Sequence, residues 1–174
     1  MKTLLILRHA KSDWSDAGQA DFDRPLAKRG LNDAPVMGEV LARFDCRPDL
    51  VLSSPALRAR QTAELAGEAC GYEGTIQWED TFYGGGSRDV IDALKRLPDG
   101  VERPLLVGHN PTLEQAASML VSRSGADWRE DSIMRIPAGG LVCLDLNIAA
   151  WAELEPGAGV LRWFLIPKLA KAIR

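Results

Sequence analysis

His9 and His109 are the only histidines in this 174-residue chain, and each closely follows a short apolar run. Arg8 stands beside the first of them, and Arg58 lies a few residues beyond a further apolar run. Neutral imidazole is a competent nucleophile toward phosphorus. Guanidinium presents a planar fork of donors that matches phosphate oxygens. Brought together, these four side chains would form an anion pocket with a nucleophile inside it. Positive charge beside His9 would pull its pKa below the reference of about 6.5 and keep the ring unprotonated at neutral pH. The same arginines would stabilise negative charge on the equatorial oxygens during phosphoryl transfer.

Residues so far apart in sequence meet only if the fold gathers them. Thr3 to Leu7, Asp49 to Ser53 and Pro104 to Val107 are short continuous apolar runs, the pattern of strands buried on both faces. Leu31, Ala34, Met37, Val40 or Leu41, and Phe44 repeat with helical spacing, with Pro35 inside the stretch. Ser54-Pro55 reads as an N-cap followed by a first-turn proline, opening a helix that runs to about Cys70 and stops at Gly71. Asn110-Pro111 repeats that signal before a helix reaching about Val121. Ser87 to Leu97 reads as a further helix capped by Ser87, and Ile76 and Trp78 as a short strand. Residues 123–139 read as loop, and Leu141 to Leu146 and Val160 to Ile166 as a C-terminal strand pair. Alternating strands and helices predict an α/β fold in a single domain spanning 1–174: a three-layer sandwich with a mostly parallel central sheet flanked by helices. In such sheets ligands bind beyond the carboxyl ends of the strands. Arg8-His9, Ser53-Ser54-Pro55 with Arg58, and Gly108-His109-Asn110 all fall there, two of them where helices begin and favour anions.

Composition sets outer limits. A hydrophobic fraction of 46% and a charged fraction of 26% are those of an ordinary globular protein. A net charge of −3 argues against a general nucleic-acid partner. Cys46, Cys70 and Cys143 match no metal spacing and read as reduced thiols, so no metal and no cofactor is expected. The apolar N-terminal run ends at Arg8, too soon for a signal-peptide core, and no segment reaches the roughly 20 apolar residues of a membrane span. The expected location is cytoplasmic, with no membrane partner. The polar stretch 11–25 is long for a loop, which suggests a functional one.

Leu7-Arg8-His9-Ala10-Lys11-Ser12, Ser53-Ser54-Pro55-Ala56-Leu57-Arg58-Ala59-Arg60-Gln61-Thr62 and Gly108-His109-Asn110, in that order, resemble the histidine phosphatase (phosphoglycerate mutase-like) superfamily. The Arg-His-Ala-Lys-Ser form, with Asp23-Arg24-Pro25-Leu26, Arg29-Gly30, Tyr83-Gly84 and Trp151, is similar to its SixA-type phosphohistidine phosphatases. The resemblance runs from about residue 3 to about residue 167. It implies that His9 is the residue phosphorylated during turnover and that Arg8, Arg58 and His109 hold the phosphoryl group. Asn110, Ser12 and Lys11 are further candidate phosphate contacts. It implies as substrate a phosphorylated protein, such as a histidine-phosphotransfer domain, or a small phosphorylated molecule.

Relatives that cleave phosphate monoesters usually carry an acid to protonate the leaving oxygen. Asp80 and Glu79, in the stretch ending Tyr83-Gly84, are the candidates here, with Asp13 and Asp16 behind them. None sits in a clear motif. A leaving imidazole, whose conjugate acid has a pKa of about 6.5, departs with little help, whereas an alkoxide needs a proton, an effect of roughly 10²–10⁴-fold. The pattern therefore favours phosphohistidine over two rivals: a phosphatase of small phosphate monoesters, and a module that binds phosphate or phosphoprotein without turnover. Other features take plainer readings. Arg60 reads as a surface ion pair, Gly84-Gly85-Gly86 as a hinge near the pocket, and Lys168, Lys171 and Arg174 as a solvated tail. The tryptophans read as core or rim residues, with Trp14 a candidate for the pocket entrance.

Overall fold

A computed structural model describes residues 1–121 and 134–173. Six strands form one sheet: β1 (Lys2–Arg8), β2 (Leu50–Ser53), β3 (Gln77–Trp78), β4 (Pro104–Gly108), β5 (Leu141–Leu146) and β6 (Gly159–Leu165), in the order β3-β2-β4-β1-β5-β6. The first four are mutually parallel, while β5 runs antiparallel to β1 and β6 antiparallel to β5 at one side. The expected mostly parallel sheet with a C-terminal strand pair is thus the observed one.

Each central strand is apolar on both faces because both faces are covered. Leu4 and Ile6 pack with Leu52, Leu106, Phe82, Leu113 and Trp151 on one side. Leu5 and Leu7 pack with Val51, Leu105, Met37, Leu41 and Ala63 on the other. Helices α1 (Lys28–Arg43) and α2 (Leu57–Cys70) form the layer on the second side. Helices α4 (Ser87–Lys95) and α5 (Thr112–Val121) supply the first, beside the one-turn α3 (Thr81–Gly84). Each such side chain removed from water contributes about 2 kcal/mol. The three cysteines are free and buried.

Strand register positions the site. Arg8 pairs with Gly108, and Ser53 with Val107. The next residues, His9, Ser54 and His109, therefore leave the sheet at the same edge. Backbone bonds His9 N–H to Gly108 O and Ser54 N–H to Val107 O, both 2.9 Å, carry the ladder one step past the strands.

Several local expectations are corrected. Helix α2 begins at Leu57, not after Ser54, because Ala56 is extended (φ −59°, ψ 136°) and Pro55 disfavours helical backbone before it. Helix α5 begins at Thr112, one residue beyond the proline. Gly86, not Ser87, precedes α4, and its N–H donates to the Asp89 carboxylate at 2.7 Å. Pro35 lies inside α1 and neither starts nor ends it. Leu31 and Phe44 are exposed, and the buried face of α1 takes in Gly30, Asp33, Val36 and Gly38 beside the expected Ala34, Met37, Val40 and Leu41. The Arg60 guanidinium lies over the Trp78 ring at 4.9 Å, a cation–π contact in place of the expected carboxylate pair. The tail contains a helix, α6 (Pro167–Ala172), whose Lys171 pairs with buried Asp33 on α1. Residues 122–133, with Trp128, and Arg174 lie outside the described residues.

Candidate active site

His9 is nine-tenths buried at the end of β1. Its Nδ1 lies 2.8 Å from the Ala10 carbonyl oxygen. A carbonyl only accepts, so Nδ1 carries the proton and Nε2 keeps its lone pair. Arg58 Nε donates toward that Nε2 at 3.4 Å. Thr62 ties the two segments together: its hydroxyl accepts from the Ala10 N–H (3.1 Å) and donates to the Arg58 carbonyl (2.7 Å).

The His109 ring centroid is 5.0 Å from that of His9, with the planes inclined by 54°. Its Nε2 is 2.8 Å from the Ser54 hydroxyl, and its buried Nδ1 has no partner among the described residues. Ser54, expected to cap a helix, instead orients a histidine. Arg8 Nη1 donates to the Ile136 carbonyl at 2.9 Å, and its buried Nε is likewise unpartnered among the described residues. Asn110 Nδ2 donates to the same Ile136 carbonyl at 2.8 Å, and its buried Oδ1 has no partner among the described residues. An unmatched buried donor such as Arg8 Nε costs roughly 1–3 kcal/mol, so it is better satisfied once an acceptor enters.

A cavity of about 310 Å³ opens here, lined by Arg8, His9, Lys11, Ser12, Trp14, Arg58 and Ala138. His109 does not line it and joins the group through its ring contact with His9. Lys11 is exposed, and Ser12 is buried and accepts from the Trp14 indole N–H at 3.0 Å. Burial is the main reason that the His9 pKa falls to about 4, with Arg58 and Arg8 adding to it against the Ala10 bond and Asp21. The positive charge expected from the sequence to lower it is the smaller contribution. Burial also leads for His109, lowered to about 3, followed by His9 and Arg58.

Sequence reading overlooked Asp21. Its carboxylate accepts from Arg58 Nη2 (3.0 Å) and the Tyr83 hydroxyl (3.1 Å), and its carbonyl accepts from Arg58 Nη1 (2.6 Å). Desolvation raises its pKa, but Arg58, Tyr83 and Arg24 together outweigh that and leave it lowered. The Tyr83 ring packs edge-on against His109 at 5.6 Å. The signal in the sequence is the long polar stretch 11–25 that carries Asp21. Asp80 is exposed just before α3, where its carbonyl accepts from the Tyr83 and Gly84 N–H groups. From that stretch it is Tyr83 that reaches His109. Among the described residues no group of three or more His, Cys, Asp or Glu side chains could hold a metal ion, and no helix is long and apolar enough to cross a membrane.

Comparison with known proteins agrees with this geometry. The histidine phosphatase superfamily (branch 1) matches residues 4–82. An uncharacterized protein of Mycobacterium tuberculosis H37Rv is 37% identical over 164 residues, covering 93% of this chain and 100% of that one. A candidate phosphohistidine phosphatase SixA from Agrobacterium tumefaciens superimposes with a TM-score of 0.78 at 30% identity, covering 95% of this chain and 98% of the other. A similar SixA candidate from Nakamurella multipartita gives 0.80 at 28% identity, covering 95% and 96%. Likeness of this extent, over almost the full length of each partner, settles the family: the chain belongs to the histidine phosphatase superfamily, with a SixA-like fold, and is a phosphatase.

Proposed function

We propose that the chain removes phosphoryl groups from phosphohistidine on proteins, such as histidine-phosphotransfer domains, through a covalent phosphohistidine at His9. The phosphoryl oxygens enter the cavity and meet Arg8 and Arg58, with His109 completing the donor set. Asn110, Ser12 and Lys11 assist at its edge. His9 Nε2 attacks phosphorus as the P–N bond to the substrate imidazole breaks, and that imidazole leaves with a proton drawn from solvent. Water then attacks the phosphorus on His9, releasing inorganic phosphate and restoring the neutral ring. The observation that carries this reading is the Nδ1–Ala10 bond, which leaves Nε2 unprotonated and facing Arg58, whose Nε is its long 3.4 Å donor.

The leaving group follows from the acids. Asp21 is the carboxylate in contact with Arg58, and its lowered pKa makes it a poor proton donor at neutral pH. Exposed Asp80 stays available to a substrate that reaches it, but it makes no bond to the histidines. An imidazole tolerates that arrangement better than an alkoxide does.

Rapid acid-free quench with a labelled phosphohistidine substrate tests the mechanism. The expected phosphoenzyme is acid-labile and alkali-stable, is absent in His9→Ala, and accumulates further in His109→Ala. Label that persists in His9→Ala, or that never appears in either wild type or His109→Ala, overturns it. Turnover compared across phosphohistidine proteins, sugar phosphates and phosphoglycerates tests the substrate class.

A further inference from the structure

We infer that Trp14 and the acidic loop around it form a docking rim for the protein that carries the phosphohistidine, an inference resting on the substrate class proposed above. Trp14 is 65% exposed, yet it is held in place. Its indole N–H donates to Ser12, and the guanidinium of buried Arg24 lies 3.7 Å from the ring centroid. Arg24 Nε in turn lies 3.6 Å from Asp21 Oδ1, and Asp21 holds Arg58. The chain of contacts Trp14–Arg24–Asp21–Arg58 thus connects the outermost aromatic ring to the residue beside the nucleophile.

An exposed indole fixed from beneath has already lost the freedom that binding would otherwise remove, and rigid aromatic anchors of this kind dominate protein interfaces. Trp14 also lines the mouth of the cavity, so a partner seated on it is continuous with the phosphoryl site. Phe22 and Tyr83, packed edge-on at 5.1 Å and both more than a third exposed, extend the apolar rim by way of Asp21. Charge indicates the kind of partner. The floor of the cavity is cationic, but the loop above it carries Asp13, Asp16, Asp21 and Asp23, with Lys11 as the exposed base. A phosphoryl group alone would be repelled by that rim. A protein surface that sets its phosphohistidine among apolar and basic side chains would match both parts.

The test compares two substrates: a histidine-phosphotransfer domain phosphorylated with phosphoramidate, and free phosphohistidine. In Trp14→Ala, kcat/KM for the domain is expected to fall about 10–100-fold, the size of an interface hot spot, chiefly through KM. For the free amino acid the fall should be about tenfold smaller than for the domain, and Trp14→Phe should recover most of the loss on the domain. Asp16→Lys should lower kcat/KM for the domain, while that for the free amino acid should not fall. Equal losses on both substrates, or none on either, overturn the docking rim. If wild type hydrolyses free phosphohistidine but not the phosphorylated domain, the proposed substrate class fails instead.

Discussion

A nucleophilic imidazole works only while its lone pair is free, and here two rings and a backbone carbonyl decide that. Because His9 and His109 are the only histidines, their titration can be followed directly by NMR in a histidine-labelled sample. Both rings are expected to stay neutral to below about pH 5, with apparent midpoints near 4 and 3 that belong to the coupled pair. The nitrogen shifts of His9 should report the Nδ1–H form. In Asp21→Asn the His9 midpoint should move lower still, because the carboxylate raises it. A midpoint near the free-histidine value would mean that the ring is neither buried nor flanked by charge as described.

At the scale of elements, precision comes from how closely α1 approaches the segment after β1. A Cβ added at Gly30 of α1 would lie 2.2 Å from the Lys11 carbonyl oxygen, which also accepts the Ala27 N–H. Backbone against backbone cannot yield cheaply. Gly30→Ala should cost about 1–3 kcal/mol of stability and lower kcat by roughly tenfold or more, since small displacements of a nucleophile are expensive. Gly67→Ala on α2 is the control: its Cβ would come no closer than 3.8 Å to Tyr72, so it should be neutral or slightly stabilising. Denaturant midpoints and single-turnover rates for the two variants check this. Equal behaviour would show that the α1 contact does not position the site.

For the whole molecule, the two buried imidazoles make folding depend on pH. Their folded pKa values lie below the unfolded value of about 6.5, so the unfolded chain binds more protons between that pH and about 4. Stability is therefore fully present above about pH 6.5 and is lost as pH falls toward the folded values, by on the order of 1–3 kcal/mol per ring. Urea midpoints at pH 7 and 4.5 in phosphate-free buffer should show the loss, and His109→Gln should reduce it. A midpoint unchanged between the two pH values would sink the claim.

Order along the chain was enough to identify the sheet, its parallel character and the residues at its strand ends. Apolar runs can be buried only between two layers, and chemistry-bearing residues placed after such runs must emerge at one edge. Arg8, His9, Arg58 and His109 were legible for that reason. Helix starts were less so, because Ser54 and Asn110 carry capping side chains that the fold uses elsewhere, on His109 and on the Ile136 carbonyl. The contacts of Asp21, the reach of Tyr83 to His109 and the pinning of Trp14, which the sequence offers only as a candidate for the pocket entrance, were decided by tertiary structure. Their partners lie across the fold or across the turns of a long loop, and nothing in local spacing records how that loop folds back on the strand ends. Likewise, the neutrality of His9 owes more to burial than to neighbouring charge, and burial depends on what the whole chain places around the ring.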